Sequence, residues 1–179
     1  MTNRYVIPAT VLALAASIGT GPAHASDAAC KPVFDAKAKQ TTTPNHQYMT
    51  ETAATHAAPE KSEIIFTSTA MYINVDGTWQ RRAFDAQKEL ADLRDAARAS
   101  HTTCRYLRDE AVGSEAAAVY ATRDEQEGGT HLDSQLWISK SRGLPLKQTI
   151  DVDVGGKFGK SHQEARIDYA NVQAPAGVR

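Results

Sequence analysis

The stretch Val154 to Ser161, VGGKFGKS, comes within one residue of the phosphate-binding pattern GxxxxGK(S/T). Gly159, Lys160 and Ser161 fill its last three places, but Val154 stands where the first glycine is required. A phosphate loop must also open a helix, because the backbone N–H groups of the helix N-terminus bind the anion. The residues that follow, HQEARIDY, alternate instead as a strand does. A glycine-rich hairpin loop carrying a lysine accounts for the same letters.

The other residues capable of chemistry are scattered. Five histidines follow position 25, at His46, His56, His101, His131 and His162, and none forms the HxxxH or HExxH spacing that sets two imidazoles on one helix face for a metal. Ser114 follows Gly113 without the GxSxG elbow that exposes a nucleophile. Asp109 and Glu110, and Asp151 and Asp153, are of the types used for acid and base work, yet turns and wet strand faces carry such charges routinely. The sequence assigns no catalytic residue, metal site or cofactor, and the expectation is a protein that is not an enzyme.

Residues 1–25 read as a secretory signal. Arg4 supplies a positive n-region, Val11 to Ile18 (VLALAASI) lies in an apolar stretch, and Ala23-His24-Ala25 gives the small-x-small pattern that predicts cleavage after Ala25. Gly19, Gly21 and Pro22 interrupt the stretch, which is too short to span a bilayer. Asp27 stands three residues before Cys30, where lipid attachment wants an aliphatic residue, so an acylated Cys30 is not expected.

The remaining residues, 26–179, suit one domain with its own core. Loss of Arg4 takes the 20 Lys and Arg to 19 against 21 Asp and Glu, a formal charge of −2. The charges are interspersed, so there is no basic footprint for nucleic acid or an anionic membrane. No second apolar run reaches spanning length. The reading is a periplasmic or secreted protein, expected as a monomer.

Cys30 and Cys104 are the two cysteines. In an oxidising compartment they most simply pair, and closing a loop of about 75 residues stabilises by roughly 4 kcal/mol in the chain-entropy model. A redox or metal pair is the alternative, but there is no CxxC and no histidine at ligand spacing from either.

The elements that position these residues follow from periodicity. Lys31 to Lys39 is a short helix candidate, ended by Thr41 to Pro44. Strands follow in His46 to His56 and Lys61 to Phe84, the latter split at the hairpin dipeptide Asp76-Gly77. Asp85 is an N-cap for a second helix whose Ala86, Leu90, Leu93 and Ala97 form a narrow apolar stripe. Five more strands run from Thr103 to Val172, joined at Gly113, Gly128-Gly129, Gly143 and Gly155-Gly156.

In Leu136 to Val154, the second half alternates: Leu144, Leu146, Ile150, Val152 and Val154 point one way, with Gln148 interrupting. One apolar and one wet face describe an antiparallel sheet covered on one side. The fold class is α+β, a curved antiparallel sheet with about two helices on its concave face. The hairpin's apolar side faces either those helices or an incompletely filled cavity.

Gly77-Thr78-Trp79, Leu136-Trp137-Ile138 before Gly143-Leu144-Pro145-Leu146-Lys147, and Asp168-Tyr169-Ala170-Asn171-Val172 with Ala174-Pro175, taken with the order of elements, resemble the LolA/LolB-like superfamily of bacterial envelope proteins. The resemblance implies an unclosed barrel with helices as a lid over an apolar cavity. The arginine on an early strand by which the family's lipoprotein carrier ties down its lid has no counterpart in HQYMTETAATH, so the fold and an apolar ligand are carried over, not the lipoprotein pathway. Phe66, Met71, Tyr72, Trp79, Leu136, Trp137, Ile138, Leu146 and Ile150 are the candidates to border the cavity, with plain core packing as the alternative for each.

Two functions of different classes follow. One is an exported envelope protein that shields a lipid, acyl chain or other apolar small molecule. The other is a secreted interaction or structural protein with a filled core, whose polar faces meet another envelope protein.

Overall fold

The computed structural model describes residues 28–53, 58–99, 102–125, 130–153 and 159–178. The signal-like segment, His56, His101 and most of VGGKFGKS lie outside them. A 3₁₀ turn, Ala28–Cys30, leads into α1, Lys31–Thr41. Pro32 sits in its first turn, where a missing N–H costs nothing. The helix ends as Thr41 and Thr43 donate their hydroxyls to the carbonyls of Lys37 and Lys39, at 3.0 and 2.7 Å, just before Pro44.

Four strands follow: β1, Asn45–Ala53; β2, Glu60–Phe66; β3, Ala70–Val75; and β4, Thr78–Ala83. The run from Lys61 to Phe84 thus holds three strands, the first turn being closed by Thr67, whose hydroxyl and amide both donate to the Ala70 carbonyl at 2.9 Å. Asp76 and Gly77 both take positive φ, 51° and 79°, as the expected two-residue hairpin requires. Helix α2, Ala86–Ala99, begins where the Asp85 carboxylate accepts the amides of Gln87 and Lys88 at 2.9 and 3.1 Å, confirming the predicted cap. Then come β5, Thr103–Val112; β6, Glu115–Glu125; β7, His131–Ser139; β8, Pro145–Asp153; and β9, Lys160–Asp168.

Among the described residues the nine strands form one antiparallel sheet, ordered β4-β3-β2-β1-β9-β8-β7-β6-β5. Two meanders meet where β1 pairs with β9, leaving β4 and β5 as open edges. Helix α2 carries the chain from one edge to the other. Laid flat, nine strands would be about 38 Å across, whereas fourteen helical residues span about 21 Å; curling brings the edges within the helix's reach. The result is the expected α+β architecture, a curved, unclosed sheet with two helices.

Directly paired residues share a face, so the ladder can be followed across the sheet. One row, on the helix-bearing inner face, is Tyr120, Leu136, Gln148, Ala165, Met49, Ser62 and Val75. The matching outer row includes Val119, Trp137, Lys147, Arg166, Tyr48, Glu63, Asn74 and Trp79. The expected alternation of β8 fails at one place. The register slips between Trp137 and Ile138, so that Leu146 lies in a bulge opposite them and joins Lys147 on the outer side. Pro145, which cannot donate to the ladder, begins the strand at that bulge.

The core is accordingly divided. On the inner face Val33 and Ala36 of α1 pack with Cys30, Cys104, Leu136 and Ile138. On the outer face Ala117, Val119, Trp137 and Leu146 form a second cluster, and Ile65, Ala70 and Tyr72 a third, over which the C-terminal Val172 and Val178 fold back. Cys30 and Cys104 are joined by a disulfide that fastens α1 to β5.

Candidate functional site

The inner face differs between its two halves. Over β7 and β8, α1 covers it, and Leu136 and Ile138 are buried. Beyond α1 the apolar residues of the same face, Met49, Ile64, Phe66, Met71, Ile73, Ile150 and Val152, are all only half-buried. The apolar stripe of α2 stays half-buried too: Ala86, Leu90, Leu93 and Ala97 each retain part of their surface. A packed core buries such residues nearly completely. Here a row of sheet residues and a helix stripe leave apolar surface uncovered, forming a trough.

Where α1, α2 and the start of β1 meet, the trough deepens into a cavity of about 240 Å³, lined by Lys37, Gln40, Asn45, Gln47, Phe66, Phe84 and Glu89 among others. Phe66 and Phe84 meet edge to face, with ring centroids 5.1 Å apart. Asn45 is 2% exposed and donates to the Thr43 carbonyl at 2.8 Å, fixing the cavity's floor. Lys37 lies on the buried stripe of α1, between Val33, Ala36 and Gln40, and its ammonium donates to Gln148 Oε1 of β8. Burial pushes that ammonium down to about 8. The sequence reading missed Lys37; its signal was a lysine within the 3–4 spacing of an otherwise buried helix face.

The nine predicted cavity residues divide between the faces. Phe66, Met71, Leu136, Ile138 and Ile150 are on the inner face, Leu136 and Ile138 beneath α1 and Ile150 and Met71 in the uncovered part. Tyr72, Trp79, Trp137 and Leu146 are on the outer face, Trp137 beneath Lys147, whose nitrogen is 5.1 Å from the ring centroid. Three aromatic residues, Tyr72, Trp79 and Trp137, thus serve an outer core, and only Phe66 of the group lines the cavity.

Several of the remaining chemical candidates sit in charged or hydrogen-bonded surface pairs. Asp109 meets Lys140 at 2.6 Å, Glu110 meets Arg108 at 2.5 Å, and His162 meets Asp151 at 2.7 Å, all exposed. His46 pairs with Glu63 at 2.9 Å and stacks on Tyr48. Ser161 lies in β9, not at a helix N-terminus, as the strand-like alternation after it suggested. Among the described residues no cluster of three His, Cys, Asp or Glu is placed to hold a metal, and no helix is long and apolar enough to cross a membrane.

The motifs behind the family resemblance come together. Tyr169 donates its hydroxyl to the Pro145 carbonyl at 2.7 Å, while Arg142 lies over its ring at 5.4 Å. Arg142 also chelates Glu115, and with the Ser139 hydroxyl holds that carboxyl down to about 2. This clasp fixes the β7–β8 bulge against the end of β9.

No family model matches the chain, and no curated protein does. Solved structures do. The chain superposes on MucB in its complex with MucA(peri) with a TM-score of 0.50 at 16% identity, over 83% of this chain and 60% of that one. The fold is shared with MucB. A LolA superfamily protein from Nitrosomonas europaea matches over 80% of this chain and 91% of its own, at 10% identity and a TM-score of 0.26. LprF from Mycobacterium bovis matches over 84% and 97%, at 12% identity and a TM-score of 0.44. At 16% identity what this chain shares with MucB is its fold.

Proposed function

We propose that this chain is an exported, monomeric, non-enzymatic envelope protein that shelters an apolar ligand, a lipid or an acyl chain, in the trough between the inner face of the sheet and α2. The single domain at 26–179, released by cleavage after Ala25, is part of that reading. The observation that carries it is the half-buried apolar row from Met49 to Val152, together with an α2 whose own apolar stripe is also half-buried. Covering it with hydrocarbon gains roughly 25 cal/mol per Å² without a chemical step. The disulfide fits an oxidising compartment.

The test is native mass spectrometry of protein exported by a bacterial host, followed by solvent extraction and lipid analysis. A stoichiometric acyl-bearing adduct is expected. An apo mass that takes up neither fatty acids nor lipopeptides would overturn the proposal. A second reading, docking of another envelope protein, is favoured by an outer hollow of about 550 Å³ lined by Tyr48, Arg142, Leu146, Arg166 and Asp168, with Tyr48 46% exposed beside it. MucB, solved in complex with MucA(peri), has this fold bound to a protein.

A further inference from the structure

Lys37 is out of place as a structural residue. A lysine on a buried helix stripe usually carries its ammonium out to water or against a carboxylate, because a desolvated charge without a counter-ion is costly. Lys37, part-buried at the cavity wall, meets no carboxylate. Its partner is the neutral amide of Gln148, and burial alone moves its titration, with no carboxylate contributing. Glu89 of α2 lines the same cavity but forms no ion pair with it. The other polar groups facing the cavity, from Gln40, Thr41, Asn45 and Gln47, are uncharged. The cavity is therefore lined by one lysine, still mainly protonated near neutrality and not ion-paired with Glu89, and by two phenylalanine rings.

The cavity also opens onto the apolar row. Gln47 and Phe66 line it, and two residues along their strands Met49 and Ile64 continue the inner face, with Met71 beside Phe66 and Ile73 beside Ile64. At about 240 Å³ it falls below the roughly 300–1,000 Å³ of a pocket that encloses a whole small-molecule ligand. It has room for a head group and the start of a chain, the rest of which would lie along the row.

We propose that Lys37 receives the anionic head group, a carboxylate or a phosphate monoester, of a single-chain amphiphile whose hydrocarbon tail lies along Met49, Ile64 and Ile73. This rests on the ligand reading above and specifies the ligand's class and orientation. Gln148 and Gln47 supply neutral hydrogen-bonding groups around the head, and the ammonium gains the counter-ion the fold leaves out.

The experiment measures dissociation constants of the delipidated wild-type protein for palmitate, 1-palmitoyl lysophosphatidate and neutral 1-monopalmitoylglycerol, and repeats them on Lys37→Met and Lys37→Arg. Wild type should bind at least one anionic amphiphile about tenfold or more tightly than the neutral one. Lys37→Met should lose that preference, and Lys37→Arg should retain it. Preference for palmitate alone or lysophosphatidate alone identifies the head group. Equal affinities for anionic and neutral lipids in wild type overturn the role of Lys37 and leave the apolar trough standing, independently of how any variant folds. Failure of all three lipids to bind overturns the trough itself.

Discussion

Replacing both cysteines, Cys30→Ala with Cys104→Ala, tests how the lid is held. The bridge links residues 74 apart in sequence. In the chain-entropy model a loop of that length removes about 15 cal/mol/K from the unfolded ensemble, or about 4.5 kcal/mol at 25 °C. Packing offers little to replace it, because the residues α1 buries are Val33, Ala36 and Gln40, one medium-sized apolar side chain among them. The variant should lose about 4 kcal/mol in equilibrium urea unfolding followed by tryptophan fluorescence, and its melting temperature should fall by about 10–15 °C for a domain of this size. Its affinity for acyl ligands should fall as well, since α1 forms one wall of the cavity. A loss under about 1 kcal/mol, or two thiols found by labelling the denatured wild-type protein, would refute the reasoning: α1 would then be held by its side chains, or the bridge would be absent.

The remaining predictions concern charge and packing. Glu115 has its pKa depressed to about 2 by Arg142 and Ser139, so its stabilisation is complete above about pH 4.5 and disappears as the pH falls toward 2. With its side chain 25% exposed, screening reduces this to about 1–2 kcal/mol, and Glu115→Gln should flatten the acid limb of a stability-versus-pH curve. Lys37 is the opposite case, an ammonium that folding disfavours: its cost is full below about pH 8 and relieved by about 10.5, so Lys37→Met should stabilise the unliganded protein by about 1–2 kcal/mol at pH 7 and by little at pH 10.5 in the same assay. Leu136→Ala, beneath α1 and 1% exposed, should cost about 2–5 kcal/mol, whereas Ile64→Ala in the half-covered row should cost about 1 kcal/mol or less in urea yet weaken acyl binding.

The elements were legible because each rests on local chemistry. Asp76-Gly77 requires positive φ at both positions and so marks a hairpin, Asp85 caps α2 with its own carboxylate, and the cysteines pair as the compartment suggested. Which face each strand presents was less legible, because alternation determines direction only until the register slips. Two slips occur, one beside Leu107 and one at Leu146, and both turn an extra leucine to the outer side. Pro145 was the available signal for the second, since a residue that cannot donate to a ladder belongs at a strand end or a bulge. Without it, Trp137 and Leu146 read as cavity residues, although an outer core claims them. That outer core bears on the ligand. A sheet packed on both faces spends its largest aromatic residues outside and has smaller or flexible ones left for the trough, where Met49, Ile64, Met71 and Ile73 can accommodate a flexible chain better than a rigid ring. The same division explains why Lys37 escaped a search for chemistry by motif. A lone lysine has no spacing to detect, and its meaning comes from its having no ion-paired carboxylate among the described residues, which only the fold can show.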